Sequence, residues 1–187
     1  KIPRWHSTGL YAAAGEPVLI TLPPGAASLG LGLRIGAHRE DLWTEDGWTR
    51  WPALSWTWDL QSRETRVASP FGGLIYVTVP EDMTDLKVEV RISNAVEAPL
   101  FTLGRHTAAD WRVARRHPAP WAEFVCRGVI LTVPSDTIRL LDDPAPLLQF
   151  YEKAVFAMDR LAGRAESERL RPERVVLDRK VVGGDMR

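Results

Sequence analysis

The sequence has little of several features that often reveal what a protein does. Cys126 is its single cysteine among 187 residues, which excludes an internal disulfide and any zinc site built from paired cysteines. Lysine and arginine total 24, aspartate and glutamate also total 24, and the basic residues are scattered along the chain. A chain without net charge or a basic cluster offers no electrostatic attraction to nucleic acid or to an anionic membrane. We therefore expect no nucleic-acid partner.

Long apolar runs and processing signals are also missing. No stretch approaches the roughly 20 apolar residues that a membrane-spanning helix needs, so the sequence predicts no membrane span. The chain starts at Lys1 without an initiator methionine or a signal-peptide pattern, and it stops at 183–187 in a segment with the sequence Gly-Gly-Asp-Met-Arg. These features predict a piece of a larger protein.

Motifs for catalysis within the chain are absent. The sequence has no Gly-x-Ser-x-Gly elbow and no glycine-rich phosphate loop. No two histidines are four residues apart, as a helical zinc pair requires; the four histidines are His6, His38, His106 and His117. We therefore predict no catalytic residue and no metal ligand within this chain.

The first two-thirds of the chain has the pattern of a mainly β protein. Apolar and polar residues alternate over 18–22, 29–35, 54–60 and 86–92, and such alternation places one face of a strand on a core and the other in water. Residues 74–79 are instead continuously apolar, which is typical of a central strand covered on both faces. Short strands separated by glycine and proline turns predict a β-sandwich, jelly-roll-like in type.

The pattern changes near Pro118-Ala119-Pro120. Alternation over 125–133 predicts a strand ending at Pro134, and Asp142-Asp143-Pro144 is a typical helix start. An apolar stripe at helical spacing follows; its members are Leu147, Tyr151, Val155, Met158 and Leu161. Val175 begins a further predicted strand. We therefore predict two domains, a β-sandwich over 1–122 and the strand-helix-strand opening of an α/β domain over 123–187.

Two places in the sandwich are candidate contact sites. Trp43 and Trp48 lie in a predicted loop, where they would contact a sugar or a partner, or be exposed without a role. Trp56 and Trp58 alternate with polar residues and are predicted to be core. Gly72-Gly73 precedes the apolar strand and is either a tight turn or a place where a peptide or glycan approaches the backbone.

An ordered set of segments resembles the enhancin-like zinc metallopeptidases, peptidase family M-sixty. The similarity extends over nearly the whole chain. It is carried by Trp5-His6-Ser7-Thr8-Gly9-Leu10-Tyr11-Ala12, Ala14-Gly15-Glu16-Pro17, Arg50-Trp51-Pro52, Ser69-Pro70-Phe71-Gly72-Gly73-Leu74-Ile75-Tyr76, Ala98-Pro99-Leu100-Phe101, Ala119-Pro120-Trp121-Ala122-Glu123, Thr132-Val133-Pro134-Ser135 and Arg171-Pro172-Glu173-Arg174-Val175-Val176-Leu177-Asp178.

The resemblance implies a β-sandwich followed by a thermolysin-like α/β metallopeptidase domain. Members of that family bind zinc through a helical His-Glu-x-x-His motif, and many cleave mucin-type O-glycosylated proteins. Because this chain lacks the motif, the resemblance implies a secreted or cell-surface parent whose zinc ligands lie beyond Arg187. The expected partners are the remainder of the catalytic domain and a glycoprotein or glycan substrate.

A second interpretation remains open beside this one. The chain would be a glycan- or protein-binding β-sandwich module of a non-catalytic, peptidase-like protein, in which Trp43 and Trp48 make the main contacts. In the first interpretation Gly72, Gly73, Trp43 and Trp48 instead form part of the wall of a substrate cleft.

Overall fold

The structure is a computed structural model, and it describes residues 4–38, 42–44, 46–48, 50–83, 87–169 and 171–177. The described residues form two compact units. The first runs to Val96, and the second runs from Glu97 to Leu177.

The first unit contains eight described strands in two sheets. The strands are β1 (Arg4–Ala12), β2 (Val18–Thr21), β3 (Gly32–Ile35), β4 (Trp56–Asp59), β5 (Glu64–Val67), β6 (Gly73–Val79), β7 (Arg91–Ser93) and β8 (Val96–Glu97). A five-stranded sheet has the order β4-β3-β6-β1-β8, and a three-stranded sheet has the order β5-β2-β7. Strand β6 pairs antiparallel with both β1 and β3, so it is central, as the continuous apolar run predicts.

The core of the first unit lies between its two sheets. Val18 and Ile20 of β2 are fully buried in the same apolar cluster as Leu33 and Ile35 of β3 and Ile75 of β6. Two sheets that bury their apolar faces against each other are a β-sandwich. The predicted fold class of this part, mainly β and a sandwich, is confirmed.

The alternation over 86–92 predicts more strand than forms. Only Arg91–Ser93 is a strand, and the described residues 87–90 have no assigned strand. Val88 and Val90 still pack against the core, so alternation predicts burial correctly even where ladder hydrogen bonds are missing. Leu86 lies outside the described residues.

The second unit has a four-stranded sheet and two described helices. The elements are β9 (Leu100–Thr102), α1 (Ala108–Ala114), β10 (Trp121–Val125), β11 (Val129–Pro134), α2 (Ala145–Leu161) and β12 (Glu173–Val176). The sheet has the order β12-β11-β10-β9. Strands β9 and β10 are parallel, β10 and β11 form an antiparallel pair, and β11 and β12 are parallel. The predicted strand-helix-strand succession is confirmed by β11, α2 and β12.

Helix α2 begins where the sequence predicts. The Ala145 N–H donates to Asp143 Oδ1 at 2.9 Å, and Pro144 precedes the first helical residue. Of the predicted apolar stripe, only Val155 is buried, while Leu147, Tyr151, Met158 and Leu161 are exposed. The helix packs on its sheet through a neighbouring face instead, which carries Leu148 and Phe156. The periodicity therefore predicts the helix but not its buried face.

The second unit contains elements that the sequence does not predict. The single strand predicted over 125–133 is two strands, because the chain turns between Val125 and Val129. Strand β9 and helix α1 are not predicted at all. Strand β9 pairs with β10 and the compact units divide at Glu97, while the predicted domain boundary lies between residues 122 and 123.

Within the described part of the chain, no helix is both long and apolar enough to span a membrane.

Candidate functional site

Four aromatic residues of the first unit form an exposed surface, here called the aromatic surface. Three are tryptophans of the loop between β3 and β4: Trp43 is 54% exposed, Trp48 50% and Trp51 50%. The fourth is Phe71, which is 39% exposed and directly precedes Gly72. The structure therefore brings the predicted tryptophan loop and the glycine pair's neighbour together.

The rings of the aromatic surface are in mutual contact. Trp43 lies 5.1 Å from Trp48 and 6.3 Å from Trp51, and Trp48 lies 6.3 Å from Trp51, all between ring centroids. These three pairs are edge-to-face, with interplanar angles of 85°, 78° and 64°. Edge-to-face aromatic pairs are favourable contacts, so the three indole rings support one another at the surface.

Buried neighbours fix the loop that carries these rings. Leu42, next to Trp43, is almost fully buried, and its N–H donates to the Pro52 carbonyl at 3.3 Å. The Arg50 guanidinium donates to the carbonyls of Trp51 and Pro52 at 2.9 and 3.0 Å. These contacts hold the start and the end of the loop close together.

Phe71 joins the loop to the body of the sandwich. Its ring centroid lies 5.8 Å from Trp51 and 5.8 Å from Trp56, which stacks on it at an interplanar angle of 21°. Trp56 is half-buried at the edge of the sandwich, and Trp58 packs against the core. Both tryptophans are predicted to be core; Trp58 packs against it, whereas Trp56 stacks on Phe71 instead.

Gly72 and Gly73 lie in close backbone packing within the sandwich. Gly72 has a φ of +67°, and an added Cβ would lie 2.5 Å from the Ala12 carbonyl oxygen. Gly73 has a φ of +148°, and an added Cβ would lie 2.6 Å from the Gly36 nitrogen. Both positions therefore require glycine, because side chains rarely adopt these φ values and the space is filled by backbone. Phe71, which directly precedes the pair, contacts Trp51 and Trp56.

The described residues do not fit a zinc site. They contain no group of three or more His, Cys, Asp or Glu side chains arranged to hold a metal ion. Two histidines have structural partners: His106 Nδ1 accepts from the Thr102 N–H at 3.0 Å, and His117 Nε2 lies 3.3 Å from Glu97 Oε2. Burial raises the pKa of the Cys126 thiol, which disfavours a reactive thiolate.

Ion pairs of the second unit are part of its fold. The nearly buried Glu123 carboxylate accepts from the Arg174 guanidinium and, at 3.1 Å, from the Thr132 hydroxyl, which joins β10, β11 and β12. Asp159 of α2 accepts two hydrogen bonds from Arg169, at 2.7 and 2.8 Å. These bonds hold the pKa of the Asp159 carboxyl below its usual range. Each of these acids has a basic partner across the unit.

The arrangement of the first unit is suited to binding. The aromatic surface is both apolar and exposed. The sequence analysis identified Trp43 and Trp48 but not Trp51 and Phe71. A signal was available for Phe71, which stands between Pro70 and Gly72 in a turn, where an aromatic side chain is easily exposed.

Comparison with known proteins gives consistent results for both halves of the chain. Residues 1–93 match the N-terminal domain of M60-like peptidases, and residues 94–187 match "Peptidase M60, enhancin and enhancin-like". TRPM8 channel-associated factor 3 of Rattus norvegicus is 38% identical over 181 residues, which is 96% of this chain and 20% of the relative. The chain therefore spans about a fifth of that relative's length.

Solved structures show the same fold. A conserved, functionally unknown protein from Bacillus anthracis aligns over 92% of this chain and 35% of its own, with a TM-score of 0.71 and 22% identity. The M60 catalytic domain of ZmpC from Clostridium perfringens, solved in complex with the sialyl T antigen, aligns over 97% of this chain and 40% of its own, with a TM-score of 0.67 and 14% identity. With a sandwich and an α/β unit that each match a domain of one family, in the family's order, this chain belongs to the M60-like, enhancin-like peptidases.

Proposed function

We propose that this chain is the scaffold and part of the substrate cleft of a secreted or cell-surface zinc metallopeptidase that acts on mucin-type O-glycosylated proteins. The aromatic surface carries the proposal, since exposed and mutually supported aromatic rings are typical of binding sites. The ZmpC domain was solved with a glycan, which supports a glycoprotein as the substrate class. Because the described residues do not fit zinc, the metal ligands are proposed to come from residues outside this chain.

The second unit is proposed to begin the catalytic domain and to contact its remainder. Helix α2 exposes Leu147, Phe150, Met158 and Leu161, which recur at helical spacing on one face. An apolar helix face open to water is unfavourable unless another element covers it. The ZmpC domain is more than twice as long as the part that this chain matches, so the remainder of such a domain is a suitable cover.

The test is zinc content and cleavage in the longer parent protein. We expect stoichiometric zinc and cleavage of an O-glycopeptide that a chelator abolishes. A folded parent protein that holds no zinc and cleaves nothing would contradict the proposal.

A matched pair of parent variants, Phe150→Asp on the open face of α2 and Leu140→Asp outside it, tests the helix contact. Only the first is expected to lower the stability of the parent.

A second candidate function is a non-catalytic binding module. It is favoured by the relatives' name, since TRPM8 channel-associated factors are named for association with a channel. In this case the aromatic surface contacts a protein or glycan, and no cleavage follows. Gly72 and Gly73 are then proposed to shape the surface by orienting Phe71 rather than by touching a ligand.

The two candidates make opposite predictions for one experiment. If the chain is a wall of a peptidase cleft, Trp48→Ala in the parent should raise the KM for glycopeptide cleavage while the zinc content stays the same. If it is a binding module, partner binding should be lost in Trp48→Ala although the unmodified parent cleaves no glycopeptide.

A further inference from the structure

The indole N–H groups of the aromatic surface indicate which chemical class of ligand fits it. In the part of the chain that the structure describes, none of the three indole N–H groups of Trp43, Trp48 and Trp51 donates a hydrogen bond to the protein. An indole N–H group can donate a hydrogen bond but cannot accept one. The surface therefore presents apolar rings together with three donors, and it best fits a ligand that is apolar and rich in acceptors.

The angles between the ring planes further restrict the kinds of ligand that fit. A pyranose sugar stacks its flat face on one ring, and adjacent coplanar rings would extend such a platform. Here the planes of the three indoles meet at 64° to 85°, so the rings face different directions and do not form one flat platform. Proline-rich segments in the polyproline II conformation bind to surfaces that several aromatic side chains line.

The exposed area argues against a folded partner or a second copy of the chain. Three half-exposed tryptophans and Phe71 present on the order of 400 Å² of aromatic surface. A stable protein–protein interface buries about 800 Å² on each partner. The aromatic surface alone is therefore too small for such an interface, but it is suited to a short extended segment.

We propose that the aromatic surface binds a proline-rich polypeptide segment in the polyproline II conformation. Such a segment is apolar, has free backbone carbonyls because it makes no internal hydrogen bonds, and lacks N–H donors at its prolines. Its prolines pack on the exposed indole rings while its carbonyls accept from the indole N–H groups. The proposal rests on the proposed use of this surface for substrate or partner contact, but it does not depend on peptidase activity.

The test uses the chain itself and a peptide of about ten prolines, in the size range of short proline-rich ligands. Nuclear magnetic resonance of the indole N–H groups, with the chain's eight tryptophans assigned by substitution, reports binding at each ring. We expect the peptide to shift the resonances of Trp43, Trp48 and Trp51 and to leave buried Trp111 unchanged. An unchanged resonance of Trp58, which packs against the core of the first unit, also shows that each variant remains folded.

Matched variants and ligands make the outcome decisive. Trp48→Ala and Trp43→Ala should each weaken peptide binding about tenfold or more, while Leu140→Ala, at an exposed apolar position of the second unit, should leave it unchanged. An equal response to a glycine-serine peptide of the same length would overturn the proposal. So would no response to any peptide, or a response to the T-antigen disaccharide alone. Since zinc and cleavage are not measured here, failure of this test leaves the peptidase proposal standing.

Discussion

The two units of this chain differ in how their strands are connected, and the difference explains why one was easier to predict than the other. In the first unit the pairs β1–β6, β2–β5, β2–β7, β3–β4 and β3–β6 are antiparallel, and one face of most strands is covered by the core. The second has two parallel pairs, each separated by a helix. Antiparallel strands show alternation, whereas parallel pairs need a crossover that alternation does not report.

The two units also differ in how exposed their tryptophans are. The first unit exposes three of them in the aromatic surface, while the second buries Trp111 completely. Trp111 packs between Phe101 and Phe124, and its indole N–H donates to the Leu141 carbonyl at 2.7 Å. Tryptophan is therefore a buried core residue in the second unit, whereas three tryptophans of the first unit form an exposed surface.

The boundary between the units can be tested by truncation, with the largest expected effect. A chain ending at 122 contains β9 and α1 but lacks most of β10, with which β9 pairs. We expect the amides of 108–114 to exchange rapidly in that fragment and slowly in the whole chain, because α1 loses the buried neighbours of Trp111. Hydrogen exchange measures both. Slow exchange in the fragment would show that the first unit extends to residue 122.

Replacing the buried tryptophan should cost the most stability of any single substitution proposed. Trp111→Ala is expected to lower the free energy of unfolding by about 4 kcal/mol, because it removes a large buried ring and leaves a cavity. Trp48→Ala is the matched control and should change it by less than about 0.5 kcal/mol. Denaturant titration measures both. Equal effects would mean that the aromatic surface is as important for folding as the core.

Substitution in the glycine pair should have a smaller effect on the stability of the first unit. Gly73→Ala should lower the free energy of unfolding by about 3 kcal/mol, since it combines an unfavourable φ with contact against the Gly36 backbone. Gly15 has a φ of +76° but open space around an added Cβ, so Gly15→Ala should cost only about 1 kcal/mol. If both cost the same, backbone strain alone explains Gly73 and its close packing contributes nothing.

Acidification should weaken the second unit through Asp159. Because the folded-state pKa of this carboxyl is lowered by hydrogen bonds from Arg169, its stabilisation is present above the unfolded-state pKa and is lost as pH falls through the folded value. Asp159→Asn should therefore be less stable than the unchanged chain at neutral pH, and the difference should shrink in acid. Thermal unfolding of both proteins between neutral pH and about pH 3 measures this difference in stability. A constant difference would assign the loss to packing.

Local patterns determined much of what was predicted correctly. Strand β2, the central strand β6, the start of α2 and the succession β11, α2, β12 all follow from residue periodicity and from cap residues near the chain positions concerned. Strand β9 and helix α1 were missed because β9 is three residues long and is defined by its partner β10. The capping box of α1, in which Thr107 and Asp110 exchange hydrogen bonds, was the available signal.

By itself, the sequence determined that the chain is mainly β at its start and α/β at its end, that Trp43 and Trp48 lie in a loop, and that the zinc motif of its family is absent. These properties depend on neighbouring residues or on composition. Only the tertiary structure decided that Trp51 and Phe71 complete the aromatic surface, which face of α2 is buried, and where the second unit begins. Those features join residues far apart in the chain, and the contacts that stabilise them form only when the strands between have paired.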